Sequence, residues 1–185
     1  MEKAIKAIKN FTPCCEQEEI DKELFLDVLE RIPNALSRES LIGHFTASAW
    51  LMNKTKDKIL CCYHKLYNRW QWLGGHCDGD DDFLNVIKKE ITEESGLEKF
   101  VLYKKGIFSL ESFAVKAHYK KGKYIPAHCH WNVTYAFIAD EKSATRISED
   151  ENSDIGWRTF DEMATEPTYC KLIDRVKKEI QRVTR

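Results

Sequence analysis

Apolar residues recur with a helical period near both ends of the chain. In residues 1–40 they return every three or four positions, and Pro33 ends the run. This apolar stripe consists of Ile20, Leu24, Phe25, Val28, Leu29 and Ile32. We expect the stripe to pack on the rest of the molecule, and a contact between two copies in a homodimer is the alternative. A second helical run, residues 170–184, predicts a final helix.

The middle of the chain is rich in the β-branched, small and aromatic residues that are typical of strands. The predicted strands are residues 44–52, 58–64, 70–73, 101–103, 107–115, 131–139 and 154–158, and residues 116–123 predict an exposed hairpin loop. One helix, residues 81–95, interrupts them, and Gly96 follows it where a C-cap glycine is expected. This order favours an α+β fold, an α/β/α sandwich with a mixed β-sheet. Residues 41–185 would form the domain and residues 1–40 an N-terminal helical extension.

Charge and cysteine content narrow the class of protein. The chain has 185 residues, with 29 Lys and Arg against 30 Asp and Glu, so it lacks the basic excess for binding a nucleic acid polymer. No apolar run is long enough to span a membrane, and the first residues lack the apolar stretch of a signal peptide. The seven cysteines are an odd number and include two adjacent pairs, which favours reduced thiols and a cytoplasmic location. None forms a CxxC pair, so a structural zinc site is not predicted.

Three acids on the predicted central helix carry the candidate chemistry. Glu90, Glu93 and Glu94 are three and four positions apart, so they share one face of a helix. A rotation of 100° per residue places them at the border of the apolar face, where an unpaired charge is costly. A hard divalent cation would remove that cost, and Mg²⁺ suits carboxylates together with a substrate phosphate. The alternative is a solvated acidic patch that lysines neutralise.

The acids belong to a longer motif. Residues 75–97 resemble the Nudix box, in which a glycine, five residues, a glutamate and seven residues precede Arg-Glu-U-x-Glu-Glu-x-Gly-U, where U is a bulky aliphatic residue. Seven of its nine fixed positions match: Gly75, Glu90, Ile91, Glu93, Glu94, Gly96 and Leu97. Asp81 stands for the first glutamate and Lys89 for the arginine, and both keep the sign of the charge. Residues 43–50, 75–80 and 128–130 are similar to one bacterial Nudix subgroup of undefined substrate.

The resemblance implies a metal-dependent hydrolase that uses Mg²⁺ or Mn²⁺ to cleave a diphosphate bond in a small nucleoside-diphosphate-type molecule. Carried over by position, Glu93 and Glu94 are metal ligands, and Glu90 is either a ligand or the general base. The resemblance assigns another ligand to the carbonyl of Gly74. Structural support comes from Gly75, Gly96 and an ion pair between Asp81 and Lys89. For the metal ligand outside the box, Glu151 is the first candidate and Glu111 the second, and a plain surface carboxylate is the alternative for both.

Several other residues are candidates for contact with the substrate, because they lie on or beside strands that should converge on the box. They are His44, His76, His128, His130 and Trp72. Hydrogen-bonded structural histidines and a packed tryptophan are the alternatives. Asp78 and Asp80 would either bind an outer metal ion or cap the helix.

Two other functions stay open. One is a non-catalytic Nudix module with a ligand-binding or regulatory role. The other is an enzyme similar to the isopentenyl diphosphate isomerases, which are Nudix relatives with a catalytic cysteine. In that case Cys61 or Cys62 would have to be reactive, whereas adjacent cysteines on an apolar strand are more often small core residues.

Overall fold

A computed structural model describes residues 1–65, 67–120, 122–147 and 152–183, with only the backbone at 179, 182 and 183. The helices are α1 Glu2–Lys9, α2 Glu16–Arg31, α3 Phe83–Ser95, α4 Phe160–Met163 and α5 Pro167–Val183. The strands are β1 Gly43–Met52, β2 Lys58–His64, β3 Arg69–His76, β4 Phe100–Leu102, β5 Ser109–Val115, β6 His118–Lys120, β7 Lys123–Ile125, β8 His128–Ala139 and β9 Asn152–Thr159. The predicted α+β class is therefore confirmed. Among the described residues, no helix combines the length and the apolarity needed to cross a membrane.

Seven strands form one sheet in the order β4-β8-β1-β3-β2-β9, with β5 also pairing with β8. Strands β1 and β8 run in the same direction: the N–H of Cys129 donates to the carbonyl of Ile42, and farther along both strands Thr46 donates to Asn132. Strand β2 is antiparallel to β3 and β9, and β8 is antiparallel to β4 and β5. The sheet is mixed, as predicted.

The chain divides into two compact units. One contains residues 1–49, 74–90 and 104–135, and the other contains residues 50–73, 91–103 and the chain from 136 onward. Strands β1, β3 and β8 and helix α3 each run from one unit into the other. The proposed boundary between residues 40 and 41 stays a prediction.

Helix α2 buries only part of the predicted stripe in the first unit. Phe25, Val28 and Leu29 are buried, and the ring of Phe25 meets the ring of Phe45 edge-on at 5.3 Å. The prediction is wrong for Ile20 and Leu24, which are 59% and 39% exposed.

Two acids are buried on α2 instead, because hydroxyl groups of β5 lie opposite them. Glu18 is fully buried and accepts from Ser109 at 2.8 Å. Asp21 is buried and accepts from Ser112 at 2.7 Å. A hydrogen-bonded carboxylate can be buried at a site that an unpaired one could not occupy.

The second unit is held by aromatic residues and by the last helix. The ring of Trp72 meets those of Tyr169 and Trp50 edge-on, at 5.2 and 6.2 Å. Helix α5 buries Leu172, Ile173 and Val176, as its apolar pattern predicts.

The region 116–123 is more regular than the predicted loop. It contains β6, and with β7 it forms a separate hairpin. Tyr119 and Tyr124 lie directly opposite each other, with their rings 5.5 Å apart. Such cross-strand aromatic pairs stabilise a hairpin even when both rings are exposed, as they are here.

Candidate metal and catalytic site

Helix α3 carries the box acids and has well-defined ends. Its buried face consists of Phe83, Val86, Ile87 and Ile91. The helix begins two residues after the predicted start, because Asp82 caps it: its carboxylate accepts from the backbone N–H of Asn85 at 3.2 Å. Asp80 supports this cap, since its carboxylate accepts from the N–H of Asp82 at 2.9 Å and from the side-chain amide of Asn85 at 2.8 Å. At the other end Gly96 has φ +71° and its N–H donates to the carbonyl of Thr92. Gly96 is the C-cap residue that the sequence predicts.

Glu90 lies directly over Gly75. A methyl group at the Cβ position of residue 75 would be 2.3 Å from the carboxyl carbon of Glu90. Glu90 is half-buried, and strand β3 has no side chain at the point where this carboxylate rests. Gly75 therefore makes room for the carboxylate of Glu90.

Glu94 has a hydrogen-bond donor that the sequence did not reveal. The side-chain amide of Asn152, at the start of β9, donates to Glu94 Oε1 at 3.1 Å. Asn152 is buried and Glu94 is half-buried, whereas Glu93 is exposed. Glu151, the predicted ligand outside the box, lies outside the described residues. Its neighbour Asn152 is a neutral amide that follows a run of acids, which is the one signal in the sequence that could have indicated its role.

The acids before α3 are held by groups from the N-terminal region. Asp81 accepts from the N–H of Lys3 at 3.2 Å and from the ammonium group of Met1. The guanidinium of Arg38 binds both carboxylate oxygens of Asp78, with its Nε at 2.6 Å, and this contact lowers the pKa of Asp78. The ion pair between Asp81 and Lys89 stays a prediction.

Glu111, the second candidate ligand, lies in a buried polar network. Its carboxylate accepts from the amide of Asn132 at 3.0 Å and from the hydroxyl of Thr134 at 2.9 Å. The hydroxyl of Ser109 lies between Glu111 and Glu18, and its single hydrogen is shared by the two carboxylates. Asn132 and Thr134 stabilise the buried carboxylate of Glu111 as donors, so no metal ion is needed to explain its burial.

Four imidazoles meet on neighbouring strands of the first unit. His44 on β1 lies between His76 on β3 and His130 on β8, and His128 is stacked on His44 at 5.0 Å. Burial lowers the pKa of His44, and it lowers the pKa of His76 and of His130 to about 3. The three rings are therefore neutral near pH 7. Trp72, the other candidate for substrate contact, packs among the aromatic rings of the second unit.

Strand β3 is longer than predicted, and this extension brings His76 to the other rings. The sequence predicted that the strand ends before Gly74 and that a loop begins at His76, but β3 continues to His76. The N–H of Cys77 donates to the carbonyl of Phe45 on β1. This backbone contact holds His76 beside His44.

No protein-family model matches the chain, and no curated protein does either. Solved structures do match. An Ap4A hydrolase from C. elegans is 14% identical, with a TM-score of 0.56, over 74% of this chain and 97% of that protein. A Nudix hydrolase from M. smegmatis is 15% identical, with a TM-score of 0.51, over 80% and 94%. The dihydroneopterin triphosphate pyrophosphohydrolase of E. coli is 11% identical, with a TM-score of 0.51, over 71% and 92%. The chain therefore has the fold of the Nudix hydrolases.

Proposed function

We propose that this protein is a Nudix pyrophosphohydrolase that uses Mg²⁺ or Mn²⁺ to cleave a diphosphate bond in a small nucleoside-diphosphate-type molecule. The observation that carries the proposal is the placement of the box acids. Glu90 and Glu94 are one helical turn apart and half-buried, and Gly75 leaves space for the first of them. Carboxylates in such a setting are the donor set that a hard divalent cation prefers.

The box residues would bind the metal ion and take up the proton of the attacking water. Glu93 and Glu94 would hold the metal ion, with the carbonyl of Gly74 and with Glu151 as further ligands. When bound, the ion would polarise the diphosphate and lower the pKa of a water molecule. Glu90 would be a ligand or the general base that takes the proton of the attacking water. The Asn152 amide donates to one oxygen of Glu94 and so restrains this carboxylate.

A substrate panel tests the proposal. The purified protein would be incubated with nucleotide sugars, dinucleoside polyphosphates, NADH, ADP-ribose and nucleoside triphosphates, each with Mg²⁺ and with Mn²⁺, and the phosphorylated products would be measured. We expect cleavage of at least one diphosphate, abolished by a metal chelator. Binding of a panel compound without cleavage would favour the non-catalytic module. If no compound of the panel is bound or cleaved, the proposal is contradicted.

The surroundings of Cys61 and Cys62 argue against the isomerase alternative. Both thiols are buried, and the Sγ of Cys61 is 3.8 Å from the sulfur of Met163. Burial raises the pKa of both thiols above the ordinary value. A reactive cysteine needs the thiolate and access to solvent, and these two have neither.

Thiol alkylation of the native protein is expected to leave turnover unchanged. The exposed Cys14 should react, whereas Cys61 and Cys62 should be protected until the chain unfolds. Mass spectrometry of peptides would locate the alkylated residues while diphosphate cleavage is measured in parallel. Modification of Cys61 or Cys62 in the folded protein, with a loss of activity that substrate prevents, would instead support the isomerase.

Replacing Asn152 by Ala is expected to lower the affinity for the activating metal ion without abolishing its binding. Glu94 would lose the donor that fixes one of its oxygens. The loss of such an outer hydrogen bond typically lowers metal affinity by roughly 10–100-fold. The measurement is the Mg²⁺ concentration that gives half-maximal activity, which should rise while turnover at saturating Mg²⁺ falls much less. Ser153→Ala, at an exposed neighbouring position, is the matched control, and equal Mg²⁺ dependence of the two variants would contradict the assigned role.

A further inference from the structure

We propose that His44, His76 and His130 form a second metal site, one that binds a borderline divalent transition metal ion such as Zn²⁺. The three rings form a nearly regular triangle, with centroid distances of 5.0, 4.8 and 5.1 Å. One nitrogen from each ring lies within 4.8 Å of the other two. Three imidazoles around one point are a donor set that suits Zn²⁺ and similar ions, whereas Mg²⁺ prefers oxygen ligands.

A buried nitrogen without a partner points to the same place. His44 is only 5% exposed, and its Nε2 has no hydrogen-bond partner among the described residues. Its other nitrogen, Nδ1, faces the carbonyl of Ser40 at 3.5 Å, where it can only donate. That tautomer leaves the lone pair on Nε2. An unsatisfied buried polar group costs about 1–3 kcal/mol, and coordination of a metal ion would remove this cost.

His128 supports the site from outside. Its Nδ1 lies 2.9 Å from the carbonyl of Pro126 and therefore carries the proton, and its Nε2 lies 3.2 Å from Nε2 of His130. In the neutral His128 ring Nε2 can then only accept, so the proton between the two rings belongs to His130. This leaves the lone pair of His130 on Nδ1, free of the proton that would block a metal ion. Outer hydrogen bonds of this kind fix the tautomer of metal-binding histidines.

The site needs only a small contraction to hold an ion. A tetrahedral Zn²⁺ with bonds of about 2.0–2.1 Å places its ligand nitrogens about 3.4 Å apart, so the three side chains must each move by roughly 1 Å or less. Three protein ligands leave a fourth position for water or for an oxygen atom of a bound molecule. All three histidines lie on adjacent strands of the first unit, so the ligands are positioned by the backbone pairing of the sheet.

Zinc binding to the stripped protein is the test. The chain would be freed of metal with a chelator and equilibrated with Zn²⁺ in a large excess of Mg²⁺, which occupies carboxylate sites. Bound zinc is counted by mass spectrometry, and its affinity is measured by competition with a chromophoric chelator. We expect one Zn²⁺ per chain. A protein that takes up no zinc would overturn the proposal before any variant is made.

Variants then assign the ligands. His76→Gln and His130→Gln should each weaken zinc binding by at least about a hundredfold, and His128→Gln by roughly 10–100-fold, as expected for an outer contact. His64→Gln is the matched control, because that ring lies on β2 beside Tyr67 and outside the cluster. A thermal melt of each variant confirms that it is folded. Unchanged zinc affinity in both His76→Gln and His130→Gln would overturn the assignment.

A second set of potential metal ligands must be distinguished experimentally from the three histidines. Cys14, Cys15 and Glu18 also bring ligand atoms within 4.8 Å of one another. Co²⁺ in place of Zn²⁺ distinguishes the two, because a thiolate gives a charge-transfer band that imidazole ligands do not. For the wild type with Co²⁺ we expect visible absorption without that band, and we expect the same spectrum for the double variant Cys14→Ser/Cys15→Ser. A thiolate band in the wild type that disappears in the double variant would overturn the proposal. None of these measurements depends on diphosphate cleavage, so a failure of the proposed hydrolase would not affect them.

Discussion

Replacing Glu94 by Gln is expected to lower Mg²⁺-dependent cleavage by on the order of 10³-fold, about 4 kcal/mol of transition-state stabilisation. The substitution removes a charge and changes little else. A glutamine keeps the oxygen that accepts from Asn152, so its side chain can stay in the same place. The loss would therefore report the missing charge toward the metal ion. The measurement is kcat/KM over a range of Mg²⁺ concentrations, on the substrate that the panel identifies.

Two comparisons make this result specific. Glu93→Gln should have an effect of similar size, since both acids are proposed ligands. Glu98→Gln removes the charge of an exposed glutamate just beyond the box and should stay within about twofold of the wild type, because isolated surface charges contribute little. Full activity of Glu93→Gln and Glu94→Gln would contradict the metal assignment, and an equal loss in Glu98→Gln would mean that overall charge is responsible.

The sequence predicts those features of the fold and site that depend on local spacing. The extent of α3 and its glycine cap follow from periodicity and from the box itself, and the β-branched, small and aromatic residues predicted most of the strands. The predictions that were wrong concern burial on α2, which depends on contacts with residues that are distant in the chain. Glu18 and Asp21 are buried because each meets a serine 91 positions away. Helical spacing alone had predicted that Ile20 and Leu24 would lie on the buried face of this helix.

The histidine cluster shows the same limit more sharply. The alternation along β8 places His128 and His130 on one side, as any strand would. Their meeting with His44 and His76 depends on the register of three paired strands, and a shift of one residue would turn a ring to the opposite face. No local pattern determines that register. Asn152 is a similar case, because its contact with Glu94 joins residues 58 positions apart.

Two adjacent glycines should respond very differently to the same substitution. Gly75→Ala is expected to lower kcat/KM by on the order of 10²-fold while leaving the melting temperature almost unchanged. The three heavy atoms nearest to the new methyl group all belong to the carboxyl end of Glu90, which can swing away at little cost in stability. The displaced carboxylate is then no longer in position, and a misplacement of about 1 Å is enough for a loss of this size.

Gly74→Ala is the matched control, because its new methyl group would be closest to a backbone atom and not to the end of a flexible side chain. The Cβ would lie 2.6 Å from the carbonyl oxygen of Ala47 on the neighbouring strand, and a strand that is paired on both sides cannot yield easily. Overpacking of this kind costs about 1–3 kcal/mol, and each kcal/mol lowers the melting temperature by roughly 2–4 °C in a chain of this size. Thermal melts of the two variants should therefore separate clearly.

A double-mutant cycle ties the effect of Gly75→Ala to Glu90. In a Glu90→Ser background the side chain that the methyl group would strike is gone, so adding Gly75→Ala should cause almost no further loss of kcat/KM. Additive losses would mean that the methyl group acts through the strand and not through Glu90. Activity within about twofold of the wild type in Gly75→Ala alone would remove Glu90 from the catalytic machinery, because its carboxylate cannot stay in its present position beside an alanine.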